Sequence, residues 1–241
     1  MIITRLGLSA LLTRATAAVL RAKAPGECWH RTNYAGRTVE LYAGPAAAVA
    51  ATLGTAHVRP AAALAVAAAG ACGAYDDVAG DHRRGFGAHL SALRQGEVTS
   101  GAVKLFGIGA AGLVTGALLK EKPVDKVLAG VVIAGTAHFV NLVDVRPGRA
   151  AGAVLLLGAP GLLRKGPDLA AVAVGAAAAV LPDDLGERAM LGDTGAHALG
   201  AALGAAVVAS NGRAGLVAHA AAVVAAAVYG DQVSEAARSL V

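Results

Sequence analysis

The chain has 241 residues, of which 56% are hydrophobic, 15% charged and 3% aromatic, and its formal net charge is +5. A soluble domain normally carries about 25% charged residues, so this composition favours a polytopic membrane protein. A soluble Ala-rich bundle is the alternative, but its helices would need a polar face that the apolar runs lack. No basic cluster is interleaved with aromatic residues, which argues against nucleic-acid binding.

Nine hydrophobic segments follow one another and predict an all-α fold, a polytopic transmembrane helical bundle of about nine membrane helices. We expect them to form one integral membrane domain, residues 1–241. Several segments are shorter than the ~20 residues that comfortably cross a bilayer. The predicted segments are roughly 2–22, 41–57, 60–75, 101–119, 124–141, 149–163, 168–182, 194–210 and 214–230.

The order of the segments also predicts a topology. Arg14 interrupts the first segment, which favours a first spanning helix over a cleavable signal peptide. With the N-terminus outside, the segments 23–40, 76–100, 142–148, 183–193 and 231–241 are cytoplasmic, with a slight positive-inside bias. We therefore expect a multi-pass cell-membrane protein whose site faces the cytoplasm.

Three short polar segments, here called islands, interrupt the apolar chain where hydrophobic segments end or begin. Charge at membrane depth is costly, so carboxylates at helix ends usually face a site rather than lipid. On one side of the membrane, the islands could gather around a metal and a phosphate. Their main polar residues are Asp76, Asp77 and Asp81 in the first, Asn141, Asp144, Arg146 and Arg149 in the second, and Asp193 and Thr194 in the third.

The first island has the residue types of a magnesium site. Asp77 and Asp81 would share a face if the helix continued, because they are four residues apart. Carboxylates suit Mg²⁺, which one or two of them usually hold together with substrate phosphates. The alternative is that Asp76 and Asp77 only mark a solvated helix end.

The second and third islands have features that suit phosphate. The guanidinium forks of Arg146 and Arg149 match phosphate oxygens, although an ordinary positively charged turn explains this island better when it is taken alone. Glycines beside Asp193 would let the backbone approach a ligand, and a helix N-terminus favours phosphate. The alternative there is a simple helix cap. His197 follows one turn later and could face the site.

In these islands the chain resembles the polyprenyl-phosphate sugar-1-phosphate transferases, the family of the phospho-MurNAc-pentapeptide translocase and the GlcNAc-1-phosphate transferases. The similar segments occur in family order over nearly the whole chain. They are the three aspartates of the first island, the Lys104-containing segment 101–105, the Asn-x-x-Asp segment 141–150, the Gly-Asp-x-Gly motif 192–195 and the early loop 31–44.

The resemblance implies Mg²⁺-dependent transfer of a sugar phosphate from a UDP-sugar to undecaprenyl or another polyprenyl phosphate, with release of UMP; Mn²⁺ is an alternative ion. It also makes a homodimer an expectation. The implied catalytic residues are Asp76, Asp77, Asp144 and Lys104, and the implied metal ligands are Asp193 and Asp77. The implied substrate-binding residues are Arg31, Asn33, Asp81, Asn141, Arg146, Arg149, Gly192, Thr194 and His197.

The chain also departs from the family pattern. Arg146-Pro147-Gly148-Arg149 replaces a commoner Gly-Leu-Asp-Gly run, Ala196 replaces a frequent serine, and the loop that helps choose the donor sugar has no counterpart before Val241. One alternative is therefore a catalytically silent relative that binds the lipid carrier or partners an envelope export system. A Mg²⁺-dependent membrane prenyltransferase would need a second multi-aspartate motif, and a transporter would show internal repeats.

Overall fold

The computed structural model describes residues 2–23, 26–80, 91–164 and 166–239. Most of these residues lie in α-helices, of which ten can be delimited. The helices are α1 (Ile2–Lys23), α2 (Ala43–Val58), α3 (Pro60–Ala79), α4 (Ser100–Leu119), α5 (Pro123–Leu142), α6 (Arg149–Leu162), α7 (Asp168–Leu185), α8 (Gly192–Ser210), α9 (Arg213–Val228) and α10 (Gly230–Ser239).

Each of the nine predicted hydrophobic segments corresponds to one of the helices α1–α9, with ends that differ by at most four residues. The largest difference is at α3, which continues to Ala79 and so takes Asp76 and Asp77 into its last turn. Apolar periodicity does not mark the end of a helix whose last turn is polar. Helix α10 was not predicted; it is short and lies at 85° to α9.

The structure confirms the helical fold expected from the sequence, with one short β-hairpin in the predicted loop 23–40. Strands β1 (His30–Thr32) and β2 (Thr38–Glu40) pair antiparallel, with Arg31 opposite Val39. The side-chain oxygen of Asn33 accepts hydrogen bonds from the backbone N–H groups of Ala35 and Arg37, which shapes the turn. Two three-residue strands have too little alternation to be recognised in a sequence, because tertiary contacts stabilise them.

Helix α8 lies at the centre of the bundle. All of its residues from Thr194 to Ala206 are buried, and it packs most extensively on α5 and α3. Gly200 and Gly204 face the backbone of α5. Small residues four apart allow this close approach of two helices, as in membrane proteins. Helices α1 and α9 are peripheral, since each buries only a few residues.

Polar contacts mark the two ends of the bundle. At one end, Lys120 Nζ donates to the Asn211 carbonyl oxygen at 3.0 Å and Arg164 donates to the Asn211 side chain at 3.1 Å. Arg213 pairs with Asp125 at 2.6 Å at the same end. All three islands lie at the other end, called the site end below.

Four helices in the described part of the chain, α1, α3, α4 and α5, are long and apolar enough to cross a membrane, and the bent pair α9–α10 makes a fifth if counted as one span. These helices indicate a membrane-associated protein. The sequence predicts nine membrane crossings. Helix length and composition support fewer, because α2 and α6 have only 16 and 14 residues.

We expect Gly200→Ala to destabilise the bundle. A Cβ there would lie 2.6 Å from the Ala137 Cα atom and 2.7 Å from the Thr136 carbonyl oxygen, and overpacking of this kind costs about 1–3 kcal/mol. Thermal unfolding in detergent should show a Tm lower by about 2–4 °C for each kcal/mol.

The matched control is Gly109→Ala in α4, because a Cβ at Gly109 meets nothing within 4 Å. The control should keep or slightly raise the Tm, since Ala is the better helix former. Equal Tm values for the two variants would contradict the close α5–α8 packing.

Candidate functional site

Lys104 joins the first and third islands. Its ammonium, on the first turns of α4, lies 2.7 Å from an Asp76 carboxylate oxygen and also contacts a carboxylate oxygen of Asp193. The three side chains are about one-fifth exposed. Two carboxylates from different helices thus converge on one cation at the site end. The centre has one ammonium against two carboxylates, and the ammonium is the group in it that could contact a phosphate.

Asp77 caps the N-terminus of α8 from the neighbouring helix α3. Its carboxylate accepts hydrogen bonds from the N–H of Asp193 at 3.0 Å, the N–H of Thr194 at 2.8 Å and the Thr194 hydroxyl at 2.6 Å. Asp77 is only 9% exposed. An acidic side chain is stabilised at a helix N-terminus by the orphan N–H donors and the helix dipole. Asp77 therefore positions Asp193 beside Lys104.

Glycines make this cap possible. A Cβ on Gly73 would collide with the Asp193 backbone, so only glycine lets α3 pass so close to the start of α8. Gly192 has φ +62°, and a Cβ on it would lie 3.0 Å from both Asp77 carboxylate oxygens. The predicted role of Gly192 was to let backbone approach a substrate. In the structure, this glycine admits the carboxylate of Asp77.

The second island lines a cavity of about 60 Å³ beside this cluster. Asp144 and Arg146 contribute from the turn after α5, and Asp184 contributes from the end of α7. The Asp184 carboxylate accepts a hydrogen bond from the Gly148 N–H at 2.8 Å. Burial raises the pKa of Asp144 well above its ordinary value, and the neighbouring carboxylates of Asp184, Asp193 and Asp77 act in the same direction.

Glu187 holds the β-hairpin over this cavity. Its carboxylate accepts hydrogen bonds from Asn33 at 2.7 Å and from the Tyr34 hydroxyl at 3.3 Å, and it pairs with Arg37 at 2.7 Å. Its φ of +52° is rare outside glycine, and such strain persists only where surrounding contacts hold it. The Arg146 guanidinium lies 4.4 Å from the centroid of the Tyr34 ring, a cation–π contact on the other wall.

Several residues predicted to bind substrate also have partners within the fold. Both donors of Thr194 are directed at Asp77, and Arg31 donates to the carbonyl oxygens of Cys28 and His30 in its own loop. Arg149 donates to the Ala237 carbonyl oxygen of α10 at 3.1 Å. These contacts show which neighbours the three side chains have within the fold, and their roles in substrate binding stay predictions.

The remaining predicted residues lie around the site in different ways. His197 is buried, and its Nδ1 lies 2.8 Å from the Asp193 carbonyl oxygen rather than facing an open space. Asn33 builds the hairpin turn and binds Glu187. Asn141 is half-buried at the end of α5. Asp81 lies outside the described residues.

Asp184, Glu187 and Tyr34 belong to the site and were not identified from the sequence. Asp184 follows Asp183 directly, so this acidic pair at the end of a hydrophobic segment was a signal. Glu187 and Tyr34 lie in loops whose approach to each other depends on how the helices pack. The sequence does not indicate the contact between Tyr34 and Glu187, because these residues are 153 positions apart.

The donor chemistry of the site suits Mg²⁺ only in part. Asp76 and Asp193 have carboxylate oxygens, the ligands that this ion prefers, but the oxygens that converge are both directed at the Lys104 ammonium. Asp77, the other predicted ligand, already accepts three hydrogen bonds. Within the described ranges, no group of three or more His, Cys, Asp or Glu side chains is arranged to hold a metal. A magnesium ion held by Asp76 and Asp193 would have to replace the Lys104 ammonium between them and take its other ligands from substrate oxygens.

In comparisons with known proteins, no family model and no curated protein matches the sequence. The geometry of the site is therefore the basis for proposing a function.

We expect Glu187→Gln to loosen the hairpin. The neutral amide cannot pair with Arg37 and replaces one acceptor oxygen by a donor, so the hairpin loses part of its attachment. Hydrogen–deuterium exchange in residues 30–40 should become faster. Glu235→Gln is the control, because Glu235 pairs only with Arg238 on exposed α10. Unchanged exchange in the hairpin would contradict the attachment.

We expect Asp144→Asn to raise the Tm at about pH 8 and to leave it nearly unchanged at about pH 4. The raised pKa means that the ionised carboxylate destabilises the folded state. This cost appears as the pH rises above the ordinary aspartate range and is absent where the carboxyl is protonated. Asp125→Asn is the control, since it removes the partner of Arg213 and should bring no gain at alkaline pH. A fall in Tm at about pH 8 for Asp144→Asn would show that the charge is stabilised.

Proposed function

We propose that the protein is an integral-membrane phosphoglycosyltransferase that transfers a sugar-1-phosphate from a UDP-sugar to a polyprenyl phosphate such as undecaprenyl phosphate, in cell-wall or envelope glycan synthesis. The observation that supports this best is the contact of Lys104 with both Asp76 and Asp193. It joins two islands that are far apart in sequence into one charged centre at the end of a hydrophobic bundle.

The proposal includes a membrane arrangement. Helices α1–α9 would cross the bilayer in alternating directions, with the site end in the cytoplasm. The polar contacts at the two ends support the alternation, because chain reversals around Asn211 lie at one end and the islands at the other. Helix α8 does not need strongly apolar residues, since other helices surround it.

The reaction would be a phosphoryl exchange. An oxygen of the lipid phosphate attacks the sugar-bearing phosphorus of the UDP-sugar, the diphosphate P–O bond breaks, and UMP leaves with that bond's oxygen. Lys104 would offset phosphate charge, and Asp76 would orient the lipid phosphate or accept its proton. Asp77 would act as a positioning residue through the cap of α8. Magnesium, held by Asp193 and Asp76 with substrate oxygens, would supply neutralisation of the diphosphate charge.

The cavity beside Asp144 is the proposed place for part of the donor. Arg146 and the Tyr34 ring form one wall, and Asp144 and Asp184 form another. A guanidinium and an aromatic ring can contact phosphate and a planar base, respectively. Attachment of the hairpin by Glu187 would then decide how open this cavity is.

A second candidate is a catalytically silent relative that binds the lipid phosphate. One observation favours it: the carboxylates of Asp76 and Asp193 are already paired with Lys104, and Asp77 is engaged in a helix cap. A site of this kind could hold a phosphate on Lys104 without turnover.

The test is a transfer assay on purified protein with undecaprenyl phosphate, Mg²⁺ or Mn²⁺ and a panel of UDP-sugars, with UMP and lipid-linked product as readouts. Asp76→Asn and Asp193→Asn should each lower turnover by at least about a hundredfold, as expected for groups that act on the reacting phosphates.

Asp125→Asn, at the opposite end, is the matched control and should keep full activity. Lipid-phosphate binding without product for any donor would favour the silent relative. If neither binding nor product is found, the proposed function is wrong.

A further inference from the structure

Three arginines converge on one carboxylate at the outer edge of the bundle. Arg14 and Arg188 each lie 2.8 Å from an oxygen of Asp183, and Arg21 lies 3.5 Å from it. Arg21 also pairs with Glu40 at the end of the hairpin. We call the three guanidiniums the arginine cluster. It brings together α1, the end of α7 and the loop before α8.

The arginine cluster has an excess of positive charge, and its guanidinium groups are more exposed than the carboxylate that they share. Three guanidiniums face two carboxylates, so one positive charge is left over. The side chains of Arg14, Arg21 and Arg188 are 48%, 37% and 62% exposed, whereas that of Asp183 is 16% exposed. Each guanidinium has five N–H donors in a fixed fork, and Arg14 uses one of them on Asp183.

In the proposed membrane arrangement, the carboxylate that the arginines share would lie near the headgroups, because Asp183 is close to the site end of α7. Helix α1 is peripheral, and Leu8, Leu11 and Val19 on it are all more than half exposed. Arg14 is in the middle of this helix, yet its guanidinium reaches Asp183 near the site end of α7. A long basic side chain on a lipid-facing helix extends in this way toward the interface.

The cluster is separate from the proposed active site. Asp183 and Asp184 are adjacent on α7, but Asp183 faces the arginines beside α1 while Asp184 faces the Gly148 N–H inside the bundle. A phosphate on the arginine cluster would therefore lie on the outer side of α7, away from Lys104.

We propose that the arginine cluster binds the phosphate headgroup of an anionic phospholipid of the surrounding bilayer. Basic pockets between membrane helices near the membrane surface bind such headgroups, and the arginine fork matches phosphate oxygens. The lipid chains would run along the exposed apolar side of α1. This inference needs only the membrane location and stands or falls separately from the transfer reaction.

The test is native mass spectrometry of the purified full chain in detergent, titrated with phosphatidylglycerol or phosphatidylcholine. The wild type should retain phosphatidylglycerol in preference to phosphatidylcholine. The double variant Arg14→Gln/Arg188→Gln should bind phosphatidylglycerol about thirtyfold more weakly, since each basic residue near the surface contributes roughly a fivefold factor.

The matched control is Arg164→Gln/Arg213→Gln, which removes the same charge from the opposite end and should leave this preference unchanged. An equal loss in both double variants would mean non-selective attraction and would overturn the proposal. So would equal retention of the two lipids by the wild type. Undecaprenyl phosphate is added as a third lipid; one-for-one displacement of phosphatidylglycerol by it would assign the cluster to the carrier and overturn the proposal.

Asp183→Asn separates a lipid site from a merely structural ion-pair network. It breaks the two ion pairs that the double arginine variant breaks, and the Arg21 pair as well, but it raises the net positive charge of the cluster. We expect it to bind phosphatidylglycerol about fivefold more tightly than the wild type. Weaker binding in Asp183→Asn would mean that the pairs only hold the fold together, and the proposal would be wrong.

Discussion

The buried contact between Asp77 and the first turn of α8 is the interaction on which the site depends. One carboxylate takes three hydrogen bonds from a helix that begins 115 residues later in the chain than Asp77. Without it, the orphan N–H groups of a buried helix N-terminus would lack partners, which is costly in an apolar interior. The same contact places Asp193 beside Lys104, so the stability of α8 and the geometry of the charged centre have one cause.

Small residues provide the second condition for this arrangement. Gly73 allows α3 to pass against the start of α8, and Gly200 and Gly204 allow α5 to do the same further along. Close approach of backbones brings the polar ends of several helices within hydrogen-bond distance of one another. Each alanine or glycine contributes little free energy through burial of its side chain. These small residues nevertheless determine which helices approach closely and therefore which polar side chains are in contact.

Some polar residues at the site end form contacts that hold the fold together, and others line the cavity. Asp77, Thr194, Arg149 and Arg31 have intramolecular partners. Asp144 and Arg146 line the cavity, and Arg146 also contacts the Tyr34 ring. A buried charge is retained only where it is paired or where function compensates its cost. Asp144 combines both features, since it lines the cavity and burial raises the pKa of its carboxyl group.

The sequence alone determined the nine hydrophobic helices and the three islands, because apolar runs and the charges between them are local properties. It could not determine which island residues would be used by the fold itself. That Asp77 caps α8, that Lys104 lies between Asp76 and Asp193, and that Glu187 holds the hairpin were decided by tertiary packing. Each of these contacts joins residues far apart in the chain, and hydrogen-bond partners across such separations depend on helix positions that no local pattern encodes.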